Sequence, residues 1–130
     1  MCSSDLNGYL LHNTGGHCDV AAGAKLAIVV APSMRGRLPI IRDSVTTVTT
    51  PGETVDVIVT ERGICVADRH EELKRELLRR NLPLKDIRQF HEEITRMTGV
   101  PRPVEFEDEV VALIEYRDGS IIDVVRRVKE

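Results

Sequence analysis

Five consecutive residues, Gly15-Gly16-His17-Cys18-Asp19, could form an anion-binding loop. Paired glycines let a backbone approach a ligand closely. Asp19 could cap a short helical turn running to Ala24, leaving free N–H groups aimed at the same spot. Such a donor set suits phosphate, carboxylate or the oxyanion that develops in acyl transfer from a thioester. An ordinary Gly-Gly turn feeding a buried strand accounts for the same residues, and both readings stand.

Two further places carry reactive side chains. Arg35 and Arg37 flank Gly36 just past a predicted strand end. In open α/β sheets ligands sit beyond the carboxyl ends of strands, and guanidinium forks suit a substrate with several carboxylates. The plain alternative is two solvated loop arginines. Glu61, in Thr60-Glu61-Arg62-Gly63, ends a strand where a bend follows. It could be a nucleophile or general base, or simply pair with a cation. His12, His17, Cys18 and Asp19 are too crowded for a recognised zinc spacing, so no metal site is expected. His91 falls on an apolar helical stripe and reads as a packed or hydrogen-bonded residue. His70 reads as a solvated helix start, and Cys65, between Ile64 and Val66, as a small buried hydrophobe.

The elements that must position these residues follow from periodicity. Asn13–Gly16 is a loop. Lys25–Ala31 is a continuous apolar run, expected to be a strand buried on both faces. Residues 32–39 form a loop. Val45–Thr50 is rich in Val and Thr and is expected to be extended. Pro51-Gly52 is a turn signal. Val55–Glu61 is a strand that Gly63 interrupts, with Ile64–Val66 continuing it beyond a bend. His70–Arg80 is a helix with acidic residues first and basic residues last, which complements its dipole, and Leu73, Leu77 and Leu78 form its expected buried stripe. Asn81 and Pro83 stop it. Leu84–Thr98 is a second helix ended by Gly99. Glu109–Tyr116 and Ile121–Val128 flank Arg117-Asp118-Gly119-Ser120, a strong hairpin signal. The order strand, strand, helix, helix, hairpin predicts an α/β fold with a mixed sheet and an antiparallel edge.

Bulk properties narrow the partners. The chain has 130 residues, enough for one hydrophobic core. With 18 basic against 21 acidic residues the net charge is −3, which gives no electrostatic reason to bind nucleic acid or an anionic membrane. The longest apolar run, Leu26–Pro32, is too short to cross a bilayer. Three cysteines without tight pairing point to reduced thiols and a cytoplasmic setting. Met1-Cys2-Ser3-Ser4-Asp5-Leu6 resembles a translated sequencing adapter opened on a GTG start. Residues 1–6 are therefore expected to be non-native, with native sequence from about Asn7; a genuine polar N-terminus is the alternative.

Longer runs carry a family resemblance. GGHCDVAAGAKLAIVVAP, RGRLPII, VTTVTTPGETVDVIVTERGICVAD and VALIEYRDGSIIDVVRRVKE together resemble the C-terminal end of citrate lyase alpha chains. The likeness runs from about Gly15 to Glu130. The glycine loop and the Thr-Glu-x-Gly strand end also resemble acetyl-CoA hydrolases and CoA transferases. Those relatives carry Gln where this chain has His17 and Phe where it has Val20, which favours the lyase alpha chains.

The resemblance implies a CoA-transferase-type open-sheet fold, of which residues 7–130 would be the latter part of the second domain. It implies exchange of acetate for citrate on an acyl-carrier-protein thioester, a citrate CoA-transferase activity used in citrate fermentation. A citrate carboxylate would attack the acetyl thioester to give a mixed anhydride, and the released thiolate would then attack the citryl carbonyl. No cofactor would be bound directly, since the phosphopantetheine arm belongs to the carrier, the gamma subunit. A beta subunit would cleave citryl-carrier protein within an oligomeric complex. Gly15 and Gly16 would line the acyl or pantetheine site, His17 and Asp19 would orient that loop, and Arg35 and Arg37 would hold carboxylates or phosphates. Without a covalent enzyme thioester in this branch, Glu61 and His17 are weak catalytic candidates. The piece alone would be inactive. The alternatives are a fragment of a CoA-dependent acetate or short-acyl transferase or hydrolase, and a non-catalytic assembly module docking through the C-terminal hairpin.

Overall fold

A computed structural model of the chain describes residues 15–129 in full and, before them, the backbone of Asp5–Leu6 and Tyr9–Leu10. His12, and most of the segment expected to be non-native, lie outside the described residues. In chain order the elements are β1 (Asp5–Leu6), β2 (Tyr9–Leu10), α1 (His17–Gly23), β3 (Ile28–Val30), β4 (Met34–Arg35), β5 (Leu38–Pro39), β6 (Val57–Thr60), β7 (Gly63–Val66), α2 (Glu71–Arg79), α3 (Ile87–Thr98), β8 (Phe106–Glu115) and β9 (Ile121–Val128). They fall into two compact units. Unit 1 comprises Met1–Gly23, Ser44–Thr54 and Arg102–Glu130; unit 2 comprises Ala24–Asp43 and Val55–Pro101.

Unit 2 is built on a three-stranded mixed sheet in the order β3-β6-β7. β3 runs parallel to β6, with Val30 opposite Val59, and β6 runs antiparallel to β7, with Thr60 opposite Gly63. The expected bend after Glu61 is therefore a full reversal, and Ile64–Val66 lies beside the preceding strand instead of extending it. Thr60 sets the turn: its hydroxyl accepts from Arg62 N–H at 3.1 Å and donates to the Gly63 carbonyl at 3.2 Å. Gly63 sits at φ 156°, and a Cβ there would meet the Pro83 carbonyl oxygen at 3.1 Å and Lys85 Cδ at 3.0 Å. That crowding arises because residues 83–85 run alongside β7, with Ile64 N–H donating to Pro83 O and Lys85 N–H to Ile64 O, both at 2.9 Å. Gly63→Ala is expected to cost about 1–3 kcal/mol from overpacking and backbone strain, read as a lower urea midpoint. An unchanged midpoint would mean that the 83–85 segment yields freely.

Two helices follow. α2 ends in a left-handed residue, Asn81 at φ 55°. Leu82 N–H then reaches Leu77 O at 3.1 Å and Asn81 N–H reaches Leu78 O at 2.9 Å, the crossed pair of a Schellman stop. The expected stripe on α2 is only partly buried: Leu73 and Leu77 are half-buried, no residue of the helix is fully buried, and Leu78 is 58% exposed. Its neighbours Arg79 and Arg80 turn back to Glu76 instead, as i,i+3 and i,i+4 pairs that support an isolated helix surface. α3 begins at Ile87, three residues later than the periodicity implies. Leu84 bridges to Ile64, and Asp86 becomes the N-cap, accepting from Arg88 N–H at 2.9 Å and Gln89 N–H at 3.2 Å. Gly99 ends it at φ 76°, with its N–H on Thr95 O at 2.8 Å.

The core of unit 2 is small. Ile41, Cys65, Phe90 and Ile94 are buried together, with Met34 and Ile58 packed against them. Burial pushes the Cys65 thiol up to about 11, so it stays protonated and acts as a small hydrophobe. β3, expected to be buried on both faces, is not: Val30 is 77% exposed. It has β6 on one side, and no described strand pairs its other edge.

Unit 1 contains the antiparallel β8–β9 hairpin, closed by Arg117–Ser120 with Gly119 at φ 84° and Tyr116 N–H on Ser120 O at 2.7 Å. Val45–Thr50, expected to be extended, forms bends. Val48 N–H there goes to the Asp123 carboxylate at 2.6 Å instead of a strand ladder. A 3₁₀ turn at Gly52–Thr54 follows Pro51, as the turn signal predicts. Among the described residues no helix is long and apolar enough to cross a membrane.

Candidate functional site

The glycine loop opens unit 1. Gly15 adopts φ 57°, a left-handed conformation that a side chain disfavours. Among the described residues a Cβ at either Gly15 or Gly16 would meet nothing within 4 Å, so only the backbone angle at Gly15 calls for glycine. The chain enters α1 directly, with Val20 N–H on Gly16 O at 3.0 Å. Asp19 therefore lies inside the first turn and does not cap it, a correction to the expected geometry. Its carboxylate instead faces Arg117 Nε at 3.9 Å, a half-exposed pair of small energetic weight. His17 is the first helical residue, and Cys18 carries a free thiol.

Unit 2 gathers the other candidates at one sheet edge. β3 and β6 are parallel and end together, with Ala31 N–H on Val59 O at 3.1 Å. Beyond β3 the chain forms a two-strand hairpin, β4–β5, with Arg35 opposite Leu38. Gly36 at φ 60° is the first central residue of its two-residue turn, while Arg37 keeps negative φ, as in a type II′ turn. Arg35 and Arg37 both stand exposed, and neither makes an ion pair among the described residues.

Glu61 lies just past the end of β6. Its Oε2 accepts from Ser33 N–H at 2.9 Å, and its Oε1 accepts the Ser33 hydroxyl. Arg62 Nε stands 3.4 Å from Oε1. The Ser33 hydroxyl and N–H hold the Glu61 carboxyl below its usual range, aided by its own backbone and by Arg62. Arg35, Arg37 and Glu61 are thus brought to one end of the parallel pair, as expected of a ligand edge. The glycine loop belongs to the other unit. Sequence reading missed Ser33, and with Glu61 lying 28 positions further along the chain no local signal could have paired them.

At the opposite end of the same strands lies a second unforeseen cluster. Asp56, buried, accepts from Ala27 N–H at 2.7 Å, from Arg69 Nε at 3.0 Å and Nη2 at 2.6 Å, and from His70 Nε2 at 2.5 Å. His70 does stand at the start of α2, as its N-cap, but its ring is anchored on Asp56 and not simply solvated. His91 Nε2 lies 3.3 Å from Thr95 Oγ1, in keeping with a hydrogen-bonded histidine. Among the described residues no three His, Cys, Asp or Glu side chains converge as a metal would require.

The family model for the citrate lyase alpha subunit matches residues 1–128. The chain belongs to the citrate lyase alpha subunit family. It is 47% identical over 123 residues to the citrate lyase alpha chain of Klebsiella pneumoniae, covering 95% of this chain and 24% of the relative. It is 46% identical over 124 residues to that of Escherichia coli, with the same coverage. The chain thus spans about a quarter of the length of the alpha chains it matches. A crystal structure described as the alpha subunit of citrate lyase from Streptococcus mutans, in complex with citrate, superposes with a TM-score of 0.90 at 44% identity, over 95% of this chain and 24% of that one.

Proposed function

We propose that this chain forms the C-terminal part of a citrate lyase alpha subunit of CoA-transferase-type fold, exchanging acetate for citrate on an acyl-carrier-protein thioester. The observation that supports the reading is the superposition of 95% of this chain on 24% of an alpha subunit described as solved with citrate. In this reading the substrates are citrate and the acetyl thioester borne on the pantetheine arm of a gamma subunit, and a beta subunit consumes the citryl product. Gly15 and Gly16 contribute to the acyl or pantetheine site, with His17 and Asp19 shaping that loop. Arg35 and Arg37 supply carboxylate-binding charge from the edge beyond β3. The exchange takes place in the cytoplasm, and the quarter-length piece is inactive without the rest of the subunit.

In the full-length subunit Arg37→Met is expected to raise the KM for citrate by about tenfold, as loss of one charge-assisted hydrogen bond would. The assay is steady-state exchange with acetyl-carrier protein at varied citrate. Unchanged KM and kcat for both substrates would remove Arg37 from the site.

A further inference from the structure

The hairpin that carries Arg35 and Arg37 has a fully buried polar residue at its root, Ser33, and a fully buried apolar one, Pro39, on its second strand. Ser33 is fully buried, and all of its polar groups are engaged: the carbonyl accepts Ile40 N–H at 3.0 Å across the neck of the hairpin, while the N–H and hydroxyl both go to Glu61. Met34 and Pro39 seat the apolar side of the hairpin on the core. β4 and β5 are two residues each, and the Gly36-Arg37 turn is exposed. Two-residue strands give little stiffness of their own. With Met34 and Pro39 seating the apolar side, the root at Ser33 is the polar anchor that ties the hairpin to the end of β6.

We propose that Glu61 is a positioning residue that holds the Arg35–Arg37 hairpin in its carboxylate-binding pose by gripping Ser33 with both carboxylate oxygens. This rests on the reading above that the arginines bind citrate. Glu61 suits the task better than nucleophilic or base catalysis. Both its oxygens already accept hydrogen bonds from Ser33, and Arg62 stands beside Oε1. A carboxylate stabilised in this way is a weaker nucleophile and a weaker base than a free one. A bidentate grip also restrains the hairpin root in two directions, as an oriented binding group requires.

The test uses the full-length subunit in the acetyl-carrier-protein exchange assay. Glu61→Ala is expected to raise the KM for citrate by about tenfold while kcat falls less than threefold, the pattern of lost substrate binding. Glu61→Gln, which can still accept the Ser33 N–H through its amide oxygen, should recover most of that KM. A collapse of kcat in Glu61→Gln would overturn the proposal and make the carboxylate itself catalytic. The cycle of Glu61→Ala with Arg37→Met separates the two readings. If Glu61 works through the hairpin, the double variant is little worse than the poorer single one. Additive effects with an impaired Arg37→Met would sink the positioning role and spare the arginine site, whereas a silent Arg37→Met would sink the arginine site itself. Should Glu61→Ala fail to fold, Ser33→Ala takes its place in the same cycle, with the same deciding outcomes.

Discussion

Replacing Phe90 with alanine is expected to destabilise unit 2 by about 3–5 kcal/mol, because a fully buried aromatic is lost and a cavity is left behind. Phe90 and Ile94 are the only buried hydrophobic residues of the described chain with no exposed surface at all. The ring joins Ile41 and Cys65, so it ties α3 to β7 and to the segment after β5. Lys85 Nζ lies 4.9 Å from the ring centroid and is itself paired with Glu93, so the ring also seats a cation. Few other contacts can compensate, since α2 has no fully buried residue and β3 is largely exposed. With whole-domain stabilities of about 5–15 kcal/mol, the loss could consume most of what holds the unit together. Urea titration followed by circular dichroism should show a much lower midpoint for Phe90→Ala and a loss of under about 1.5 kcal/mol for Phe90→Leu, which keeps most of the volume. A Phe90→Ala midpoint within error of the parent would show that the cluster around α3 is not the core.

The sequence made the local features legible and left the long-range ones hidden. The Asp118-Gly119 hairpin, the Gly99 stop and the Asn81 stop all follow from residues adjacent in the chain, where backbone angle alone decides. Asp86 was an equally local cap, but the apolar stripe from Leu84 masked it; Leu84 spends its side of the pattern on a bridge to Ile64. Burial misled in two places. The apolar run at Lys25–Ala31 and the leucine stripe Leu73, Leu77 and Leu78 both read as faces for a core, yet Val30 and Leu78 stand mostly exposed in this chain. Periodicity reports which face could be buried and is silent on whether anything covers it. Of the candidate site, the arginine pair and Glu61 were visible as residue types at a strand edge. Their relation was not, because it runs through Ser33, whose only mark in the sequence is an unremarkable serine after Pro32.

The same limit hid Asp56, and its removal is the second large effect. Asp56 lies where β3 and β6 begin: its N–H donates to Ala27 O at 3.0 Å, its carbonyl accepts Ala67 N–H at 2.8 Å, and its carboxylate takes Ala27 N–H, Arg69 and His70. The Ala27 N–H above all, with His70 and Arg69, holds the carboxyl down at about 2 against the opposing effect of burial. Asp56→Ala strands the buried Ala27 N–H and leaves Arg69 and His70 without their acceptor. A cost of about 3 kcal/mol at pH 7 is expected from breaking such a buried charge network. The pH dependence distinguishes this from a packing loss. The unfolded carboxyl titrates near 3.9, above the folded value, so the protein with Asp56 holds the full contribution above about pH 5 and loses it as pH falls from about 4 toward 2. The variant lacks that term. The gap in urea midpoint between the two should therefore narrow across this acid window, while the exposed carboxylates Glu61, Asp68, Glu109 and Asp118, present in both proteins, cancel in the difference. A gap that stays constant from pH 7 to pH 2.5 would mean that Asp56 contributes through shape alone, and that its charge does not bind the start of β3 to the start of β6.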